Sequence, residues 1–164
     1  MKQVFSEVGS SAQQVGGNCP QDWVVMQGER PTPEHVAQED GSWALPQPDY
    51  VEIIAARRWQ AEVAGIEVSD RQVDTDDRSK LLINGAAVEA MLDPEYTLRW
   101  KTADGFVELS AEQVISIARA VRAHVQACFD REAELLDALA DGTFTEAMLE
   151  EGWPNGSVPA PAAG

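Results

Sequence analysis

From about Tyr50 to Ala140 the apolar residues switch between helical spacing and strict alternation, and that succession constrains the fold more than any other feature of the chain. Asp49 is placed to cap a helix over Tyr50–Ala64, with Val51, Ile54, Ala55, Trp59 and Val63 at near-helical spacing and Gly65 as its stop. Ile66-Glu67-Val68 and Gln72-Val73-Asp74 flank Ser69-Asp70-Arg71, which predicts a short hairpin. Thr75 or Asp76 caps a second helix running to Leu92, where Asp93-Pro94 stops it. Its predicted core stripe is Leu81, Leu82, Ala86, Val88, Ala90, Met91 and Leu92, and Gly85 inside it predicts close approach by a neighbouring helix. Thr97–Thr102 alternates, with Leu98 and Trp100 on one face; Asp104-Gly105 turns the chain, and Phe106–Leu109 returns. Ser110 and Gln113 form a capping box for a long helix from Ala111 to about Ala140.

Along that last helix Val114, Ala118, Val121, Val125, Cys128, Leu135 and Leu139 recur in steps of four and three, with Glu132 the one polar member. Such a seven-residue repeat fits two arrangements. Its first half packs inside the domain, while Val121, Val125, Cys128, Leu135 and Leu139 are candidates for a seam between two copies of the chain, the part after Arg131 projecting or pairing with another chain.

Upstream the pattern is different. Residues 1–18 read as a flexible lead-in, with Gln3–Val8 able to form one strand. Residues 19–48 read as a small β meander of three strands, Trp23–Met26, His35–Gln38 and Ser42–Leu45, the last two joined at Asp40-Gly41. Two tryptophans in so short a segment fit either a docking surface or a mini-core. As a surface, Trp23, Trp43 and Met26 are the candidate partner contacts; as a mini-core, the two indoles pack on each other. Residues 49–142 form the helix–hairpin domain, and 143–164 a short helix capped by Thr145 followed by a Pro/Ala/Gly tail, expected to be disordered from Pro154. The expected class is therefore α+β: a small N-terminal β meander followed by a helix–hairpin–helix–hairpin–long helix domain.

Charge narrows the partners. Twelve Lys and Arg against 28 Asp and Glu leave a net charge of −16, which repels phosphate backbones and anionic lipid. The only adjacent basic pair, Arg57-Arg58, stands between Glu52 and Glu62. Nucleic acid and membrane are therefore not expected partners. No apolar run approaches the ~18 residues of a bilayer span, and the first residues, Met1-Lys2-Gln3-Val4-Phe5, lack the apolar core of a signal peptide. Cys19 and Cys128 are far apart, so a reducing compartment is the simpler expectation.

Chemistry-bearing motifs are sparse. His124 precedes Cys128 by four residues, so a thiol and an imidazole share a helix face, but a small core cysteine beside an edge histidine is the favoured reading of the pair. His35 has no nucleophile motif near it. Two cysteines and two histidines, scattered, do not make a zinc site. Asp74, Asp76 and Asp77 lack the glycine and distal glutamate of a calcium loop and suit a helix N-terminus. No glycine-rich phosphate loop occurs. A non-enzyme is expected, with no catalytic residue, metal or cofactor.

Read in order, Ala55-Ala56-Arg57-Arg58-Trp59-Gln60-Ala61-Glu62, Gly65–Val68, Asp74–Ser79, Ile83-Asn84-Gly85-Ala86, Arg99–Phe106 and Val121–Gln126 resemble a domain of unknown function common in tail proteins of bacteriophages and prophages. The resemblance covers about ninety residues. Pro20–Val24, Arg30-Pro31 and Asp40–Trp43 are similar to N-terminal segments of tail-fibre assembly proteins. What this resemblance implies is a tail-fibre assembly chaperone without an active site, whose partner is the tail-fibre protein, acting in the bacterial host cytoplasm during phage assembly. The alternative it leaves is a structural component retained in the virion tail.

Overall fold

The computed structural model describes residues 2–102 and 105–156. The chain divides into two compact units, Met1–Asp49 and Tyr50–Gly164. Each is described by itself. The class is α+β, with an N-terminal strand region and a long helix late in the chain.

In the first unit, β1 (Val4–Glu7) is the middle strand of a sheet ordered β2 (Gln14–Val15), β1, β3 (Trp23–Met26), with both neighbours antiparallel to it. Residues 1–18 are thus not a flexible lead-in. Val4, Phe5 and Ser6 are all buried, because a central strand is covered on both edges and, here, both faces. Ser6 donates its hydroxyl proton to the Ala12 carbonyl at 2.6 Å, which satisfies the buried oxygen. β4 (Val36–Ala37) and β5 (Trp43–Ala44) form a separate hairpin. The expected three-strand meander is therefore two sheets, with β3 paired to β1 rather than to β4. Asp40-Gly41 does turn that hairpin: Asp40 Oδ1 accepts from the Ser42 amide at 2.9 Å, and Gly41 sits at φ +80°. Only glycine fits there, since a Cβ would lie 2.4 Å from the Val25 carbonyl oxygen.

The second unit begins with α1 (Tyr50–Glu62), followed by the hairpin β6 (Ile66–Val68) and β7 (Arg71–Val73). The hairpin loop has two residues, not three: Ser69 and Asp70 both take positive φ, 51° and 60°, which is the twist-matching turn of a tight hairpin. α2 (Asp77–Leu92) is capped by Asp76, whose carboxylate accepts from the amides of Arg78 and Ser79 at 3.0 and 3.1 Å. β8 (Thr97–Thr102) and β9 (Gly105–Ser110) form the second hairpin; Asp104 of the predicted turn lies outside the described residues. α3 (Ala111–Ala140) starts with the predicted Ser110–Gln113 capping box.

One core lies where both hairpins meet α2 and α3. Ile66, Val68, Val73 and Ile83 pack with Ala120 and Val121, and Ala87, Ala90 and Leu109 pack with Ala111 and Val114. Trp100 bridges the two groups. Farther along, α3 packs on α1, where Ile54, Cys128 and Leu135 are fully buried.

Residues 143–156 wrap back over α1 and α3 through a 3₁₀ turn at Glu146–Leu149. The Tyr50 and Phe144 rings pack tilted at 56°, 4.9 Å between centroids, and the Tyr50 hydroxyl donates to Glu146 at 2.6 Å. Arg131 donates to the carbonyls of Glu151 and Met148, each at 3.1 Å, and Arg57 lies over the Trp153 ring. The expected disorder from Pro154 does not hold at its start. Gly156 accepts from the Glu67 amide at 2.7 Å and so covers part of the β6 edge, while residues 157–164 lie outside the described residues.

Candidate functional site

Helix α1 ends in a polar knot. Four carbonyls are left over at any helix C-terminus, and here Ala61 and Glu62 use theirs on side chains from elsewhere. His124 Nε2 lies 3.0 Å from the Ala61 oxygen. Thr75, fully buried, donates to the Glu62 oxygen at 2.6 Å and accepts from the Gly65 amide at 2.9 Å. The Glu62 carboxylate, 6 % exposed, is held by Arg58 one turn earlier and by Lys80 from α2. Arg58 reaches on to Glu132 of α3 at 3.1 Å and lies over Phe129, while Lys80 lies over Trp59. Burial pulls the Lys80 ammonium down, but hydrogen bonds to Glu62 and Asp77 outweigh that and hold its pKa above the usual lysine range. Three helices are joined here by fully partnered charges, which is what an inert structural clamp requires.

The same knot decides the Cys–His pair. Cys128 Sγ is 3.8 Å from His124 Nε2. A carbonyl can only accept, so Nε2 carries its proton toward Ala61 and has no lone pair for the thiol. Burial, with the negative Glu62 nearby, pushes the Cys128 thiol up to about 11. The pair is a packed thiol and a capping imidazole, with no activated nucleophile. Asp76 is occupied as the α2 cap, its carboxyl held below the usual range by the Ser79 hydroxyl and amides. Among the described residues, no three His, Cys, Asp or Glu side chains converge to hold a metal ion.

The partner contacts expected in the head are placed differently from one another. Met26 is buried, 6 % exposed, in a cluster with Val4 and Ala37, because its register opposite Val4 turns it inward. It is core and cannot be a contact. Trp43 packs on that cluster and donates its indole proton to the Gly28 carbonyl at 2.9 Å. Trp23 is half-buried on β3. The candidate seam on α3 is likewise core: Val121, Cys128 and Leu135 are buried within the chain, and Val125 and Leu139 are half-buried. The heptad spacing describes packing on α1 and the hairpins, and the helix beyond Arg131 is covered by α1 and the C-terminal segment.

The large unpartnered surface lies instead on α2. Its inward face is made of small residues and one isoleucine, Ile83, Ala87 and Ala90. Its outward face carries Leu81, Leu82, Val88, Met91 and Leu92, which are 50–75 % exposed. Gly85 lies on that outward face with nothing within 4 Å of where its Cβ would be. The close neighbour expected at Gly85 is not supplied by the described residues. Beside this face runs an open groove, walled by Leu81, Leu82, Gly85 and Ala86 on one side and by Leu98, Arg99, Trp100 and Lys101 of β8 on the other. Among the described residues β8 pairs with β9 alone, so its other edge is unpaired along the groove. A void of about 20 Å³ under the β8–β9 hairpin is lined mainly by core side chains, together with Arg71, Gln72 and Thr102.

Among the described residues no helix is long and apolar enough to cross a membrane. No curated protein and no solved structure matches the chain. A family model described as a domain of unknown function, DUF4376, matches residues 47–151, the stretch holding α1 through the 3₁₀ turn, and the chain belongs to that family.

Proposed function

We propose that this protein is a non-catalytic assembly factor that covers a β-rich tail-fibre protein of a bacteriophage until the fibre is built. The observation that carries the reading is the groove along the unpaired edge of β8, floored by Leu81, Leu82 and Gly85. A strand edge beside a groove that carries exposed leucines among polar side chains accepts an extended segment by strand addition, main chain on main chain with alternate side chains in the groove. Fibres fold slowly through states with open strand edges, which aggregate unless covered. The net charge of −16 keeps a covered complex in solution. The tail context rests on the motif resemblance between Ala55 and Gln126, and in this reading the protein works in the host cytoplasm.

Co-expression with the fibre protein tests the reading. The chain is expected to co-purify with the fibre and to raise its soluble yield several-fold. Leu82→Asp, at an exposed position, is expected to abolish both effects while circular dichroism stays unchanged. Equal fibre yield with and without the chain rejects the proposal. Stoichiometric amounts of the chain in purified particles would assign it instead as a structural tail component.

A further inference from the structure

We infer that the outward face of α2 pairs with α2 of a second copy, antiparallel, about a two-fold axis. Leu81, Gly85, Val88 and Leu92 follow steps of four, three and four, the spacing of a helix–helix seam. All four are exposed and on one stripe of the helix. The stripe is complementary to its own reverse. When α2 is laid antiparallel on a copy of itself, Leu81 meets the second copy's Leu92, and Gly85 meets the second copy's Val88. The large residue fills the space that the missing Cβ leaves, and symmetry repeats the fit. A parallel pairing would set glycine against glycine and leave a void at the centre.

Charge favours the same direction. Arg78 is exposed near the start of α2, whereas Asp93 and Glu95 are exposed just past its end. The antiparallel arrangement brings each Arg78 toward the second copy's acidic end and opposes the helix dipoles. The stripe itself is uncharged, which an association between two chains of net charge −16 requires. It also explains a glycine in mid-helix, which is unfavourable by about 1 kcal/mol relative to alanine and meets nothing among the described residues. A contact built on three turns of one helix is smaller than a standard interface, so the dimer is expected to be in the micromolar range.

Sedimentation equilibrium of the full chain at about 0.15 M salt, where surface charges are screened, reads the association. The expected mass rises from one chain to two with concentration. Gly85→Leu fills open space in the monomer, so it leaves the fold intact and the dilute chain's Tm undiminished. It is expected to weaken dimerisation at least tenfold. In a Cys19→Ser background, oxidation of Leu81→Cys/Leu92→Cys chains is expected to give a cross-linked dimer, and Leu81→Cys alone to give none. A chain that stays monomeric up to about 1 mM, beyond the weakest specific affinity considered, overturns the inference. So does a dimer indifferent to Gly85→Leu, or equal cross-linking by the single variant. Because Leu81 and Gly85 also line the β8 groove, the assembly reading is tested separately, by fibre yield with the unsubstituted chain.

Discussion

Glu62 is a carboxylate at the end of a helix, where the dipole already places negative charge. It is tolerated because Arg58 and Lys80 both contact it. Removing its charge breaks two ion pairs in a crowded, partly dry site and leaves Arg58 to Glu132 and Lys80 to the exposed Asp77. Glu62→Gln is therefore expected to lower unfolding free energy by roughly 1–3 kcal/mol, read by urea denaturation. Thr75 serves the same helix end through its hydroxyl. Thr75→Val keeps the shape and orphans a carbonyl and an amide, for an expected loss of about 1–3 kcal/mol. Cys128 gives a pH signature. Its thiol is raised to about 11 in the folded state, so the unfolded chain loses that proton first. The stability it contributes is complete below the usual thiol range and is lost as pH rises through about 11. Cys128→Ala should flatten that alkaline limb of stability against pH. In the native protein at pH 8, iodoacetamide is expected to alkylate the exposed Cys19 and to spare Cys128; equal labelling of both would refute the burial.

At the scale of elements, the tight β6–β7 turn offers a direct test. Asp70 holds φ +60° where glycine bears no steric penalty. Asp70→Gly is expected to stabilise the chain by about 0.5–1 kcal/mol, measured as a raised Tm. The elements themselves were legible because caps and turns are local: Asp76, Ser110 with Gln113, and Asp40-Gly41 act within three residues of themselves. Faces were less legible. α2 is apolar on both sides, so the stripe read from spacing mixed Ala86 and Ala90, which do pack in the core, with Leu81, Leu82, Val88, Met91 and Leu92, which are exposed. The actual core face is alanine-rich because α2 lies close against α3, and small residues permit that approach. On α3 the heptad period was read correctly, but a period does not name the partner. Leu135 and Cys128 meet α1 of the same chain. In the head, β1 was visible as a strand, whereas its central place depends on pairing with β3 across about twenty residues, which no local signal carries. The groove beside β8 was invisible for the same reason, since it exists only between α2 and a strand that follows it.

For the whole molecule, charge governs conditions more than contacts do. A chain with 28 acidic and 12 basic residues repels itself when compact. Its Tm is expected to rise by several degrees between about 10 mM and 0.5 M sodium chloride, over which the Debye length falls from roughly 30 Å to a few ångströms. A Tm independent of salt would mean that local partners already neutralise the field. Leu81 and Gly85 belong both to the α2 stripe and to the wall of the β8 groove, so a second copy and an added strand compete for the same ground. The segment after α3 has a practical consequence of its own. Arg131 fastens it through the carbonyls of Met148 and Glu151, and Gly156 shields the Glu67 amide. Trimming the protein back to the last residue of α3 would therefore unglove a strand border and strip Tyr50 and Arg57 of their aromatic covers. A shortened product of that kind should clump on storage, for reasons unrelated to whatever the protein binds.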